Sequence, residues 1–227
     1  GQTSLAKYLF IACHEDAPQL STHDIPGYFQ HVLSRIDLSR DLHFQTRTTI
    51  DTLDYSGDGW NAGSKLVIAA RGPVIRKLGS ELPQNITLPS SCKSIDLIMP
   101  GVIAVSFRPF SDYTQAKIEI DDLIHSLATH NLEPWPLWIL TEDSQWMSRE
   151  LNNFLWATFT RSQPAKDVYG VSATFIDKHW SCKAPIIIDA RIKPHHAPEL
   201  ETDPEVSKKV DQMFAKGGIL HGKIKGL

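Results

Sequence analysis

Cysteine is scarce in this chain. Cys13, Cys92 and Cys182 lie far apart with no C-x-x-C pair, so neither a disulfide framework nor a cysteine zinc site is suggested. Such usage suits a reducing compartment, and a cytoplasmic location is expected. Long hydrophobic runs are missing as well. Stretches such as Leu66 to Ala70 and Pro185 to Ile188 are far too short to cross a bilayer, and no signal-peptide pattern opens the chain. Neither sign of charge dominates: 23 basic against 26 acidic residues leave a net charge of -3, with no general electrostatic reason to bind nucleic acid or an anionic membrane. No G-x-G-x-x-G follows a strand-like segment, which argues against a nucleotide-binding α/β module. The stretch Ser56 to Trp60 (SGDGW) has neither the terminal acidic ligand of a calcium loop nor the Gly-Lys-Ser/Thr of a phosphate loop.

What is present is the composition of a folded protein, 41% hydrophobic and 22% charged. At 227 residues the chain holds more than one ordinary domain by the rough rule of about 150 residues each, and is long enough to bury a core without disulfides or a structural metal. It opens on Gly1 rather than methionine, and a polar lead runs directly into a strand-like segment, which reads as an excised fragment.

Hydrophobic patterning predicts strands alternating with helices. Leu5 to Cys13 suits a buried strand, and Thr22 or Asp24 caps a helix whose first turn holds Pro26 and which runs to about Ile36. Strands are expected at Asp41 to Ile50 and Lys65 to Ala70, then a short helix at Val74 to Leu78 and a Pro-, Gly- and Ser-rich connection. Ile95 to Met99 and Val102 to Phe107 are strand material divided by Pro100-Gly101. Asp112 opens an amphipathic helix whose apolar stripe is Ile118, Ile120, Leu123, Ile124 and Leu127 and which runs to about His130, and Leu137 to Leu140 is a strand. Ser144 caps a helix that buries Trp146, Leu151, Leu155, Trp156 and Phe159 and stops at Pro164. Val168 to Val171 and Pro185 to Ile192 are further strands, and Asp203-Pro204 starts a last helix, Glu205 to Ala215. This grammar predicts an α/β fold with a mostly parallel sheet flanked by helices.

The pattern also repeats. RIDLSRDL at Arg35 to Leu42 is echoed by RSQPAKDV at Arg161 to Val168, an offset of 161 − 35 = 126, and KLVIAARG at 65–72 by PIIIDARI at 185–192. Two duplicated α/β units are therefore expected, 1–80 and 95–227, joined by a linker over 81–94. Arg35 and Arg161 read first as helix-terminus and salt-bridge residues.

At the second copy the residues acquire a family likeness. The block from Trp156 to Val168, WATFTRSQPAKDV, resembles the W-A-x-x-T-R-x-x-P-A-R-D segment in the C-terminal region of the UbiD family of flavin-dependent decarboxylases. Ile188-Asp189-Ala190 resembles the family's G-x-D-A-T strand ending, and residues 5–72 resemble the same region again through Leu53-Asp54 and Gly63-Ser64-Lys65-Leu66. Lys166 departs from the motif, which has Arg there. The resemblance implies prenylated flavin mononucleotide, a bound metal, and reversible non-oxidative decarboxylation of aromatic or α,β-unsaturated acids, as in ubiquinone and menaquinone synthesis. The family's Glu-Arg-Glu catalytic set and its cofactor and metal ligands lie in a preceding domain, in an E-G-P-F-G-E context that does not occur here. No catalytic, cofactor-binding or metal residue is therefore assigned.

Other candidates are weaker. His195-His196 beside Glu199 and Glu201 read as surface rather than metal ligands, and Cys182 as a buried structural thiol. Glu142 and Asp143 read as caps of the following helix. Two functions follow. In the first, the chain is the C-terminal part of a UbiD-like carboxy-lyase, serving pocket closure and assembly. Its partners would be the N-terminal flavin-binding domain of the same chain and further copies in a homo-oligomer, with no cofactor bound by the fragment itself. In the second, it is a catalytically inert oligomerisation domain, motivated by the apolar tail residues Ile219, Leu220, Ile224 and Leu227.

Overall fold

The computed structural model describes residues 5–197 and 202–223. They fall into two compact units, 1–196 and 197–227.

The first unit opens with β1 (Tyr8–Ala12), α1 (Ile25–Leu33), β2 (Leu42–Thr48) and β3 (Gly63–Ala70), whose strands form a three-stranded sheet in the order β1-β3-β2. Asp24 caps α1 by accepting from the Gly27 backbone N–H, and Pro26 occupies its first turn. No helix forms at Val74 to Leu78. The Ile75 and Arg76 amides instead donate to the Ser34 carbonyl, and the Arg76 guanidinium donates to the carbonyls of Leu33 and Ile36. An extended strap thus satisfies the C-terminal carbonyls of α1.

A second sheet follows: β4 (Cys92–Met99), β5 (Val102–Phe107), α2 (Tyr113–Leu127), β6 (Leu137–Thr141), α3 (Ser144–Arg149), α4 (Leu151–Thr160), α5 (Pro164–Asp167), β7 (Val168–Ile176) and β8 (His179–Asp189). Its strand order is β4-β5-β6-β8-β7. Both sheets are mixed, not mostly parallel. The pairs β1–β3, β5–β6 and β6–β8 are parallel, while β2–β3, β4–β5 and β7–β8 are antiparallel. The reason lies in the connections. Parallel neighbours need a crossover, which the helices supply, whereas β4–β5 and β7–β8 are joined by tight turns that force reversal. Gly101 (φ 84°) makes the first turn, and Asp177 (φ 50°) and Lys178 (φ 66°) make the second, the left-handed pair that a two-residue hairpin turn requires.

The central strands alternate between two cores. Ala104, Leu137, Ile139, Ile186 and Ile188 face a core shared with α1, β3 and α4, while Ile103, Val105, Trp138, Leu140 and Ile187 face one built with α2. Burial on both faces explains why β5 and β6 read as nearly continuous apolar runs. The helix expected after Ser144 is split at Glu150, which is extended. Its cap is Asp143, which accepts from the Trp146 N–H. Trp156 points outward, 55% exposed, and Phe154 takes the buried position.

The second unit holds α6 (Pro204–Phe214), capped by Asp203, which accepts from the Glu205 N–H. Val206 and Val210 are exposed, and the Leu220 amide donates to the Met213 carbonyl.

Candidate functional site

A cluster of buried charged side chains lies where the central parallel strands end. β8 runs out of the sheet at Asp189 into Ala190, Arg191, Ile192 and Lys193. Arg191 and Lys193 have fully buried side chains, at 0% exposure. Burial at that level demands partners. Arg191 donates to both oxygens of Asp189 (2.9 and 2.8 Å), to Glu119 Oε2 on α2 (3.2 Å) and to the Arg108 carbonyl beyond β5, and its guanidinium lies over Phe107. Lys193 Nζ donates to the carbonyls of Asp189 (2.9 Å) and Arg161 (3.2 Å) and pairs with Asp167 at 3.3 Å. The Arg161 carbonyl belongs to the C-terminal end of α4, where a cation is favoured by the dipole. Burial pushes the Asp167 carboxyl up to about 6, although Lys193 opposes that shift.

The family-like block supplies the link between the two sheets. Ser162 Oγ hydrogen-bonds the Tyr8 hydroxyl of β1 at 2.7 Å. Gln163 Nε2 donates to Asp58 at 3.1 Å, and Lys166 pairs with the same carboxylate. The Ala165 N–H donates to Ser64 Oγ of β3 at 2.8 Å. Asp167 accepts from the Gln163 N–H at 2.6 Å, and Arg161 pairs with Glu142. Beside this lies a third buried cation, Lys7, which donates to Ser56 Oγ (2.6 Å) and pairs with Asp54 (3.0 Å). Burial lowers its pKa against the pull of Asp54.

This arrangement is a set of mutually neutralised charges. Asp167, with its raised pKa, has the chemistry of a general acid, yet the side chains of the pair it forms with Lys193 are 1% and 0% exposed, out of reach of any substrate. Nor does the donor set fit prenylated flavin or a metal. A flavin phosphate needs uncommitted donors, and Lys7, Arg191 and Lys193 are each committed to a carboxylate. Among the described residues no three His, Cys, Asp or Glu side chains cluster to hold a metal ion.

The remaining sequence candidates divide. His195 is exposed. His196 is half-buried and accepts at Nδ1 from the Lys193 N–H, and burial beside Lys193 pushes its pKa down to about 4. Glu199 and Glu201 lie outside the described residues. Cys182 is buried, and burial pushes its thiol up to about 12. Asp143 caps α3 as expected, whereas Glu142 accepts from the Ile192 N–H instead. Sequence reasoning missed Lys7, Glu119, Arg191 and Lys193. The visible signal was charge following directly on the apolar PIII of β8.

Residues 1–70 match the family model described as 3-octaprenyl-4-hydroxybenzoate carboxy-lyase C-terminal domain. A Chlamydia caviae protein carrying no functional name is 32% identical over 219 residues, covering 94% of this chain and 34% of that protein. A Chlamydia pneumoniae protein named as a subunit of 4-hydroxybenzoate decarboxylase is 30% identical over 220 residues, again 94% of this chain and 34% of its own length. A solved structure of an evolved dimeric form of the UbiD-class enzyme HmfF from Pelotomaculum thermopropionicum, in complex with prFMN, is 17% identical at a TM-score of 0.33. It covers 72% of this chain and 41% of that one, a likeness too slight to rest on. The chain spans about a third of the length of the curated relatives it matches. The family model and these relatives make the chain UbiD-like, with residues 1–70 matching the C-terminal domain of the family's carboxy-lyases.

Proposed function

We propose that this chain is the C-terminal part of a UbiD-like carboxy-lyase that removes carbon dioxide without oxidation from an aromatic or unsaturated acid, such as a 4-hydroxybenzoate of quinone biosynthesis. In this reading the N-terminal domain of the same polypeptide carries prenylated FMN and the metal. The present chain closes the substrate pocket and holds copies together in a cytoplasmic homo-oligomer. The observation that carries the reading is the asymmetry of the match: 94% of this chain aligns, yet it fills only 34% of a relative named as part of a decarboxylase. The closed charge cluster supports it, because each buried cation there serves a neighbouring carboxylate.

The duplication belongs to the same proposal, with 1–80 and 95–227 descending from one unit across the 81–94 connection. In its favour, β1-α1-β2-β3 and β6-α3-α4-α5-β7-β8 share a strand order in which the last strand lies between the other two, parallel to the first and antiparallel to the second. Asp41 and Asp167 also share a local bond, each accepting from the backbone N–H four residues earlier, at Asp37 and Gln163. Both residues of that motif are offset by 126 (167 − 41 and 163 − 37), as the blocks at 35–42 and 161–168 that contain them are, while the blocks at 65–72 and 185–192 are offset by 185 − 65 = 120.

The test is spectroscopic titration of the 227-residue chain with prenylated FMN, alongside carbon dioxide release from 4-hydroxybenzoate. Neither stoichiometric binding nor turnover is expected from this chain, and both are expected from the longer polypeptide. Tight binding by the chain alone overturns the reading. The exposed Val206, Val210 and Ile219 favour the inert-assembly alternative. That alternative is sustained if deleting 204–227 lowers the oligomer mass in light scattering while the longer polypeptide binds no flavin.

A further inference from the structure

The connection from β2 to β3 turns large apolar side chains to solvent while burying part of its polar set. Leu53, Tyr55 and Trp60 are 78%, 61% and 82% exposed, whereas Ser56 is buried and Asp54 nearly so. Connecting loops ordinarily place polar side chains in water and have no reason to present three large apolar ones there. This one is held from beneath. Lys7 binds Asp54 and Ser56, Asp58 is bound by Gln163 and Lys166, and the neck closes where the Asp58 N–H donates to the Ala62 carbonyl at 2.7 Å. A side chain at Gly57 would sit 2.4 Å from both that carbonyl and Ile50 Cδ1, so the neck has no slack. With Asp54 and Ser56 anchored inward, the loop cannot turn Leu53, Tyr55 and Trp60 into the core without breaking the buried Lys7–Asp54 pair.

We infer that this loop is a docking surface, and that its occupant is an apolar recess on the flavin-binding part of the same polypeptide. The inference rests on the carboxy-lyase reading above. Relatives that share 94% of this chain continue for 100 − 34 = 66% of their length outside the shared stretch, so they carry ample further structure to cover such a face. The composition suits a permanent neighbour, since Trp and Tyr with an aliphatic partner are the residues that anchor well-packed interfaces. Asp51 and Asp58 beside them do not suit an anionic membrane surface.

Hydroxyl-radical footprinting read by mass spectrometry, on the 227-residue chain and on the longer polypeptide, tests this. Oxidation of Trp60 and Tyr55 is expected to be fast in the chain alone and about tenfold slower in the longer protein. Leu53→Ser combined with Trp60→Ser should restore Tyr55 labelling there while leaving the melting temperature of the 227-residue chain unchanged. Equal labelling in both proteins, with the longer one still binding flavin and releasing carbon dioxide, overturns the docking surface and leaves the carboxy-lyase reading intact. A longer protein that does neither overturns both. Protection of the chain alone that grows with its concentration assigns the surface to a second copy. Protection only by phosphatidylcholine–phosphatidylglycerol vesicles assigns it to lipid. Either result sinks the inference.

Discussion

Replacing Lys193 by Met should expose the logic of the buried junction. The ammonium it removes is fully buried, donates to the carbonyls of Asp189 and Arg161, and lies 3.3 Å from Asp167. Taking away one partner of a buried pair costs about 3–5 kcal/mol. The pH dependence is the sharper signature. Asp167 titrates at about 6 in the fold against 3.8 ordinarily, so the folded state holds this proton more tightly than the unfolded chain does. Its contribution to stability is therefore full below the ordinary carboxylate range and is lost as pH rises through 6, a change of about 3 kcal/mol for two units. Without Lys193 the folded carboxyl titrates higher still, and the additional loss falls above pH 6. Urea denaturation at pH 5 and pH 7.5 should show a small deficit for Lys193→Met at the lower pH and the full deficit at the higher. Asp167→Asn added to Lys193→Met should recover most of it. An equal deficit at both pH values, or a double variant no better than the worse single one, would refute the coupling.

Two further outcomes test the packing. Gly170→Ala places a methyl 2.4 Å from Cys182 Cβ and 2.5 Å from its Sγ, and should cost about 1–3 kcal/mol in thermal or urea unfolding. Adding Cys182→Gly should return part of that. Cys182, buried with its thiol pushed up to about 12, should resist an aromatic disulfide reagent at pH 8 until the protein unfolds, whereas the partly exposed Cys13 reacts in the native state.

The strands and helices α1 and α2 were legible because apolar spacing and caps are local signals. Asp24 and Asp112 each stand immediately before an apolar helical stripe, and both cap as their position suggests. Strand direction was not legible. KLVIAA at 65–70 looks the same whether its neighbours run with it or against it, and only the connections decide. The strap at Val74 to Leu78 misled for a related reason, since its amides go to a carbonyl some forty residues earlier. The junction was half legible. RSQPAKD carried the family likeness, but its partners Tyr8, Asp58 and Ser64 are more than ninety residues away, and nothing in a linear reading joins them.

Those distances bear on how the chain is made. Ser162 reaches back 154 residues to Tyr8, Gln163 reaches 105 to Asp58, and Ala165 reaches 101 to Ser64. During synthesis the three-stranded sheet leaves the ribosome with these groups still waiting. Contacts of such separation are slow to form, because the intervening loop must close before they contribute. The first sheet is therefore a guest in its own fold until residue 167 has been translated, and a chaperone that shields β1 and β3 for that interval would meet it at its most vulnerable.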